Sequence, residues 1–263
     1  MIAATYTQGG AFRVEEVPLP EIADDELLVE VKASSICGTD LRIVRNGHRK
    51  LRDGQRVVLG HEFAGVVAEA GRRTAGFPEG MRVGVAPNMG CGRCGMCARA
   101  LPNMCPDYSA FGITLDGAHA RYVRVPHAAL AQGSVVPLPD TLPFRHACLL
   151  EPLSCVVNAS RAVRMEAGET AVVFGAGPIG LMHMMLAALC GASKLICADM
   201  RPERLKLAAV LGATSVVDPS REDVREHVMA ATGGRGADVV ITACSVAAVQ
   251  EQDVAGSASG IGH

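Results

Sequence analysis

Hydrophobic and polar positions follow two different patterns along the chain, and the change falls near residue 140. Before it, short apolar or alternating runs are separated by frequent glycine and proline, as in EGMRVGVAP and HARYVRVPHAALAQGSVVPLP. Short runs with recurring turn signals predict a compact domain of β-strands. We place this domain at residues 1–142 and predict that one helix, from Pro143 to Met165, links it to the rest of the chain.

Beyond residue 143, strand and helix patterns alternate. The segment TAVVF predicts a buried strand, and an apolar helix follows that begins at Pro178 and stops at Gly191. The same order repeats through the segments LICADM, RPERLKLAAVLGA, TSVVD, REDVREHVMAATGG and ADVVITAC. This alternation predicts an α/β domain over residues 143–250, with a doubly wound parallel sheet.

The predicted sheet is incomplete. A full dinucleotide-binding sheet has six strands, whereas the pattern supplies four. Residues 251–263 are mostly small and show no strand pattern. We therefore expect a C-terminal truncation or a shifted reading frame, a disordered tail, and an exposed sheet edge beside the fourth strand.

Composition excludes several classes of partner. The 263 residues carry 25 basic and 27 acidic side chains without a block of like charge, so neither a nucleic-acid nor a membrane surface is indicated. A small molecule is the expected partner. The N-terminus lacks a signal-peptide pattern, and we expect a cytoplasmic protein. In that reducing compartment, the ten cysteines should be thiols or metal ligands.

Four of these cysteines form a cluster in the segment CGRCGMCARALPNMC. Cys91, Cys94, Cys97 and Cys105 have the spacing at which turns direct several thiolates to one point, and four such ligands close the shell of a structural zinc. An iron–sulfur cluster and a thioredoxin-like CxxC pair are the alternatives. Because a closed shell leaves no position for substrate, we expect this loop, residues 91–105, to stabilise the fold without taking part in catalysis.

A second candidate metal site is dispersed along the chain. Cys37 and His61 each follow a predicted strand, in ASSICGTD and VVLGHEFAG, where side chains from turns can converge. Glu62 is adjacent to His61, and Glu151 lies in an apolar stretch where an unpaired carboxylate would be costly to bury. Fewer than four protein ligands would leave a zinc position open for water or substrate.

A glycine-rich turn predicts dinucleotide binding. Gly175, Gly177 and Gly180 form GxGxxG between a strand and a helix, and Asp199 ends the next strand about twenty residues later, where a ribose-binding carboxylate belongs. Asp199 favours NAD over NADP, although the nearby Arg201 and Arg204 keep NADP open. The candidate cofactor-binding residues are Gly175, Gly177, Pro178, Ile179, Gly180, Asp199 and Arg204.

The motifs CGTD, GHEFAGVV, the four-cysteine loop, DGAHARYVRVP, EPLSC and VVFGAGPIG occur in an order that resembles the zinc-dependent medium-chain dehydrogenases. The sequence EPL resembles the polyol (sorbitol-like) and threonine dehydrogenase branch. The resemblance implies a GroES-like first domain, a Rossmann second domain, two Zn²⁺ ions, NAD, and oxidation of a secondary alcohol such as a polyol. It also implies homo-oligomers among relatives.

By the same resemblance, Cys37 and His61 are ligands of a catalytic zinc, and Glu62 or Glu151 completes the set directly or through water. Thr39 would begin a proton relay. Three features depart from the family: Arg42 replaces a relay histidine, His119 and Arg121 replace a usual Phe and Glu, and the chain is short. The alternative is therefore an inactive remnant that binds zinc and the adenosine part of NAD.

Overall fold

The computed structural model describes residues 1–244, and the expectations for residues 245–263 lie outside this range. The chain divides into two compact units, Met1–Glu151 and Pro152–His263. The boundary expected from the sequence, after residue 142, lies nine residues earlier. Among residues 1–244, no helix has both the length and the hydropathy needed to span a membrane.

The first unit is built around antiparallel sheets. One has the order β2-β1-β4 and a larger one the order β10-β6-β5-β3-β9. Their strands are β1 (Ile2–Thr7), β2 (Phe12–Glu16), β3 (Leu27–Ser35), β4 (Arg56–Val58), β5 (Glu62–Ala70), β6 (Arg82–Val85), β9 (Tyr122–Val125) and β10 (Val135–Pro137). A third, two-stranded sheet is formed by β7 (Asn88–Met89) and β8 (Ser109–Ala110). The prediction of a β domain is confirmed.

The core of this unit lies on one face of the larger sheet. Leu27 and Val29 of β3 are fully buried there with Phe63 and Val67 of β5. The ring of Phe63 also meets Phe111 edge to face, with centroids 5.6 Å apart. Burial of these alternating side chains fixes the register of β3 against β5, because a slip of one residue would turn them toward solvent.

That register determines where the candidate metal ligands meet. Ser35, the last residue of β3, pairs with Glu62, the first residue of β5. The strands are antiparallel, so the chain leaving β3 and the chain entering β5 lie at the same end of the sheet. Cys37 follows β3 as the N-cap residue of helix α1 (Gly38–Asn46), and His61 immediately precedes β5.

The four-cysteine segment forms a loop between β7 and β8. It contains the short helix α2 (Gly95–Ala98) and a 3-10 turn at Pro102–Met104. Gln132 fixes the start of this loop through two hydrogen bonds to Gly90. Its side-chain amide accepts from the N–H of Gly90 at 2.9 Å and donates to the Gly90 carbonyl at 3.0 Å. Gln132 directly follows helix α3 (His127–Ala131).

The predicted single linking helix is wrong. The segment instead forms two helices, α4 (Phe144–Ala147) and α5 (Leu150–Val163). Pro152 explains the break, because proline has no N–H to donate to a carbonyl one turn earlier and is tolerated only in the first turn of a helix. Cys148 consequently ends α4, and α5 starts just before Pro152.

The second unit is a parallel sheet in which strands and helices alternate, as predicted. Its elements are β11 (Thr170–Phe174), α6 (Pro178–Leu189), β12 (Lys194–Ala198), α7 (Pro202–Val210), β13 (Ser215–Val217), α8 (Val224–Thr232) and β14 (Val239–Thr242). The strand order is β13-β12-β11-β14, so β14 is an edge within the part of the chain that the structure describes. Phe174 pairs with Ala198, which aligns the carboxyl ends of β11 and β12.

Candidate metal and dinucleotide sites

Three of the candidate ligands come together where β3 ends and β5 begins. The ligand atoms of Cys37, His61 and Glu62 all lie within 4.8 Å of one another. His61 and Glu62 are buried, with 7% and 5% of their surface exposed, while Cys37 is half-buried. A thiolate, an imidazole and a carboxylate are a donor set that zinc accepts in catalytic sites, where three protein ligands leave one position open.

The two candidate glutamates differ in position. Glu62 belongs to the cluster of ligand atoms, and Ser35 donates a hydrogen bond from its hydroxyl to the Glu62 carboxylate. Glu151 is half-buried in the first turn of α5, and its carboxylate is not among the ligand atoms that lie within 4.8 Å of one another. Of the two candidate glutamates, Glu62 is thus the one that the fold presents beside Cys37 and His61.

Asp40, which is 3% exposed, lies behind the cluster. Its carboxylate accepts from the backbone N–H of Cys37 at 2.9 Å and of Gly60 at 3.2 Å, and Oδ1 is 3.6 Å from Nδ1 of His61. The contact with Nδ1 leaves Nε2 of His61 for a metal. A carboxylate that holds the second nitrogen of a ligating histidine orients the ring.

The charged forms of Asp40 and His61 stabilise each other. Burial alone would raise the pKa of Asp40, but the neighbouring imidazoles of His119 and His61 and the hydrogen bond from the Cys37 backbone lower it well below its usual range. Burial would lower the pKa of His61, but Asp40 and then Cys37 raise it to about 10. From the sequence, Asp40 stands out only as an acidic residue near the ligands. Its spacing three residues after Cys37, in the first turn of a helix, was the available signal.

Thr39 lies in the first turn of α1, between Cys37 and Asp40, and is half-buried. Nη2 of the exposed Arg42 is 3.4 Å from the hydroxyl oxygen of Thr39, within reach of a weak hydrogen bond. The side chain that stands one helical turn after Thr39 is therefore a permanent cation. A guanidinium does not give up its proton near neutral pH, so Arg42 cannot relay one.

The four-cysteine loop has the geometry of a tetrahedral thiolate site. The sulfurs of Cys91, Cys94, Cys97 and Cys105 all lie within 4.8 Å of one another, and none is in a disulfide. Sγ of Cys94 is 3.5 Å from that of Cys97 and 3.7 Å from that of Cys105. A tetrahedron with Zn–S bonds of about 2.3 Å has edges of about 3.8 Å. The four residues therefore fit a zinc ion.

Backbone and thiol contacts shape the acidity of this loop. Backbone N–H groups of Arg93 and Cys94 lower the pKa of Cys91 to about 6, which favours the thiolate that a metal requires. Burial and then the neighbouring thiol of Cys94 raise the pKa of Cys97 to about 11. Several thiols in one small space cannot all ionise without a cation. Gly90 also keeps the space free, because a Cβ there would lie 2.5 Å from Sγ of Cys97.

In the second unit, the glycine turn joins β11 to α6. Gly175 has a φ of +97°, and a Cβ on Gly180 would lie 1.8 Å from the Gly175 carbonyl oxygen, so both positions require glycine for the turn to pack. Gly177, the N-cap of α6, differs, because a Cβ there would meet no atom of residues 1–244 within 4 Å. This open space in front of the helix N-terminus fits a pyrophosphate. Pro178 and Ile179 form the first turn of α6.

Asp199 directly follows β12 and lies against the glycine turn. Its carboxylate accepts from the N–H of Ala176 at 2.8 Å and from that of Arg201 at 2.9 Å. Nη1 of Arg204 is 3.5 Å away from Asp199 Oδ2. Asp199 thus braces the turn as well as standing at the position of a ribose-binding carboxylate, a structural role that its place in the sequence did not predict.

Comparison with known proteins agrees with this arrangement. The family model for the alcohol dehydrogenase GroES-like domain matches residues 23–140, and that for zinc-binding dehydrogenases matches residues 178–260. Sorbitol dehydrogenase of Bacillus subtilis (strain 168) is 36% identical over 95% of this chain and 70% of its own length. L-Threonine 3-dehydrogenase of Mesorhizobium japonicum is 35% identical over 81% of this chain and 60% of its own length.

Solved structures give the same result. A zinc-binding dehydrogenase from Sinorhizobium meliloti 1021 bound to NADP has a TM-score of 0.90 and 36% identity, with 98% of this chain and 74% of that chain covered. Alcohol dehydrogenase TADH from Thermus sp. ATN1 has a TM-score of 0.86 and 30% identity, with 98% and 74% covered.

The folds of the two units and their candidate sites define the class as zinc-dependent dehydrogenases with a GroES-like domain and a Rossmann-type sheet. The chain belongs to the zinc-dependent medium-chain alcohol dehydrogenase family, among relatives that include sorbitol and threonine dehydrogenases. It spans 60 to 70% of the length of those two curated relatives.

Proposed function

We propose that this protein is an oxidoreductase that uses zinc to transfer hydride between a secondary alcohol, such as a polyol or sugar alcohol, and a nicotinamide dinucleotide. The observation that carries the proposal is the convergence of Cys37, His61 and Glu62, with ligand atoms within 4.8 Å of one another. Three such ligands leave the fourth position of a tetrahedral zinc for a substrate oxygen. The similarity to sorbitol dehydrogenase and L-threonine 3-dehydrogenase supports this substrate class.

The chain's own residues would prepare the alcohol for reaction. When bound, zinc lowers the pKa of a coordinated hydroxyl and nicotinamide accepts the hydride. Cys37, His61 and Glu62 would hold the metal, with Asp40 fixing the His61 ring. The hydroxyl of Thr39 would receive the substrate proton. Since Arg42 cannot carry that proton, Thr39 would pass it to water, while Arg42 holds the Thr39 side chain in place.

The glycine turn supports NAD or NADP as the cofactor, and we propose NAD. Asp199 can accept a hydrogen bond from a ribose hydroxyl and would repel a 2′-phosphate. NADP is the second candidate, because Arg204 is 3.5 Å from Asp199 and the Sinorhizobium meliloti relative is bound to NADP. The ratio of kcat/KM for NAD to kcat/KM for NADP tests this choice. A ratio below one would contradict NAD.

We further propose two zinc ions per chain, with the second held by the four cysteines of the loop as a structural ion. A cytosolic location is also proposed, because none of the ten cysteines forms a disulfide, as expected in a reducing compartment. Metal analysis of the purified protein tests the zinc number. We expect a Cys37→Ser, His61→Ala double variant to retain one of the two ions.

The activity is tested by incubating zinc-loaded protein with NAD or NADP and a panel of polyols and L-threonine. We expect absorbance at 340 nm to rise for at least one secondary alcohol, and not to rise for the double variant. Cys190→Ser is the matched control, because Cys190 is exposed and lies outside both clusters. Absence of turnover with two zinc ions bound would contradict the proposal and favour the inactive remnant.

A further inference from the structure

His119 is held tightly in the first unit, yet the proposed reaction does not use it. Its backbone carbonyl accepts from the N–H of Ala4 at 2.8 Å, and its own N–H donates to the Leu59 carbonyl at 2.8 Å. These bonds tie the residue to β1 and to the segment just before His61. Its side chain is only 16% exposed, so a polar ring here needs partners.

The ring of His119 reaches the support of the metal cluster. Nδ1 is 2.9 Å from the hydroxyl oxygen of Ser34, and Nε2 is 3.5 Å from Oδ2 of Asp40. The other carboxylate oxygen of Asp40 faces Nδ1 of His61. One buried carboxylate therefore lies between two imidazoles, one of which belongs to a candidate metal ligand.

Close packing fixes the position of this second ring. A Cβ on Gly60 would lie 2.6 Å from Nδ1 of His119, and Gly60 has a φ of +94°, where glycine is favoured. The ring of His119 consequently lies directly on the backbone that precedes His61. Ser34 and Asp40 come from β3 and α1, so the ring joins three segments that carry or adjoin the ligands.

We propose that His119 is a positioning residue for the metal centre, because it fixes the Asp40 carboxylate that in turn orients His61. A side chain without a ring nitrogen at this position would leave Oδ2 of Asp40 with the backbone N–H of Cys37 but without the imidazole beside it, so the carboxylate would be held less firmly. Loss of the group that directly holds a metal ligand typically weakens metal binding by about 10- to 100-fold, and His119, one contact further away, should have a smaller effect. The inference rests on the proposed zinc site formed by Cys37, His61 and Glu62.

The rate of zinc release from the zinc-loaded full chain to a chromogenic chelator tests this role. We expect two phases in the parent protein. His119→Phe should accelerate one phase severalfold, by up to about 10-fold, and leave the other unchanged. His119→Gln keeps a donor and should produce a smaller change. Arg121→Gln is the control, because Arg121 contacts Glu30 and should leave both phases unchanged.

A cobalt-substituted sample gives a second measurement that a purely structural role would not affect. His119→Phe should shift the visible d–d bands of the site that contains His61, while the thiolate-to-cobalt bands of the four-cysteine site stay constant. Equal release rates in the parent and in His119→Phe would overturn the proposal. Acceleration of both phases together would also overturn it, because His119 would then only support the fold.

Failures of the two proposals are distinguishable. Two zinc ions without alcohol turnover would contradict the proposed function but would leave the role of His119 to be decided by the release rates. A parent protein that binds one zinc would overturn both. If His119→Phe does not fold, the zinc release rates of Ser34→Ala test the proposal instead, since this substitution removes only the hydroxyl partner of the ring. One faster phase in Ser34→Ala supports the proposal, and unchanged rates overturn it.

Discussion

Glu62 and Glu151 are chemically identical, and only their surroundings separate them. Glu62 begins β5, is 5% exposed, accepts from Ser35 and has its carboxylate among the ligand atoms of Cys37 and His61. Glu151 begins α5 outside that cluster. Burying a carboxylate is costly unless it is hydrogen-bonded or binds a cation, so the position of Glu62 favours a role as metal ligand.

We therefore predict different zinc stoichiometries for Glu62→Gln and Glu151→Gln. Gln at position 62 removes the negative charge but preserves size, and should reduce bound zinc from two ions to one after dialysis. Glu151→Gln should retain both ions. Atomic emission of the dialysed proteins measures the difference. Retention of two zinc ions by Glu62→Gln, with loss of one from Glu151→Gln, would reverse the assignment.

At the scale of elements, the turn between β11 and α6 shows how glycines can serve different purposes in one motif. Gly180 permits the first turn of α6 to pack against the Gly175 carbonyl, with no room for a Cβ. Gly177 instead borders open space, since a Cβ at this residue would have no atom of the described chain within 4 Å. Packing therefore explains Gly180, and we propose that access for a ligand explains Gly177.

This contrast predicts different effects of adding one methyl group. Gly180→Ala should lower the free energy of unfolding by about 1–3 kcal/mol, because an overpacked contact must be relieved by backbone movement. Gly177→Ala should change stability by less than about 0.5 kcal/mol, as expected away from tight contacts. It should nevertheless weaken dinucleotide binding by about tenfold or more, a cost of roughly 1.4 kcal/mol.

Urea denaturation and calorimetric titration with NAD and NADP measure these two quantities. Gly177→Ala and Gly180→Ala are matched, because both introduce the same methyl group into the same turn. Equal losses of stability in the two variants would show that Gly177 also has a packing role. Unchanged dinucleotide affinity in Gly177→Ala would contradict the proposed position of the pyrophosphate.

Local signals explain which elements could be predicted from the sequence. Helix α6 has Pro178 at its start and Gly191 just beyond its end, so its bounds follow from residue type. The linking segment has one residue of this kind in its interior, Pro152. Apart from that proline, its apolar pattern predicts a single longer helix. The contacts of Asp40 with His61 and His119 could not be predicted, because they depend on the register of β3 and β5 and on long-range packing.

At the scale of the whole molecule, the two candidate zinc sites should contribute differently to stability. Four thiolates enclose the loop site, whose unmetalled sulfurs would repel each other if they ionised together. Binding of such a structural ion contributes directly to the free energy of folding. The Cys37, His61 and Glu62 site is instead supported by Asp40 and by the backbone pairing and buried core of strands β3 and β5.

We therefore predict that Cys105→Ser destabilises the protein much more than Cys37→Ser. Cys105 is 2% exposed, and its sulfur lies 3.7 Å from that of Cys94 and accepts from the N–H of Cys91 at 3.3 Å. Its replacement should release the loop zinc and lower the thermal midpoint by roughly 10 °C or more, given about 2–4 °C per kcal/mol for a chain of this size.

Cys37→Ser should lose the other zinc and alcohol turnover while its thermal midpoint stays within roughly 4 °C of the parent, about 1 kcal/mol at this chain length. Cys190→Ser should match the parent protein in zinc content and in thermal midpoint, because Cys190 belongs to neither cluster. Calorimetry together with zinc analysis of the three variants separates the effects. If Cys37→Ser were the more destabilising substitution, the loop would not be the structural site, since its ion would then contribute less to folding than the one beside His61.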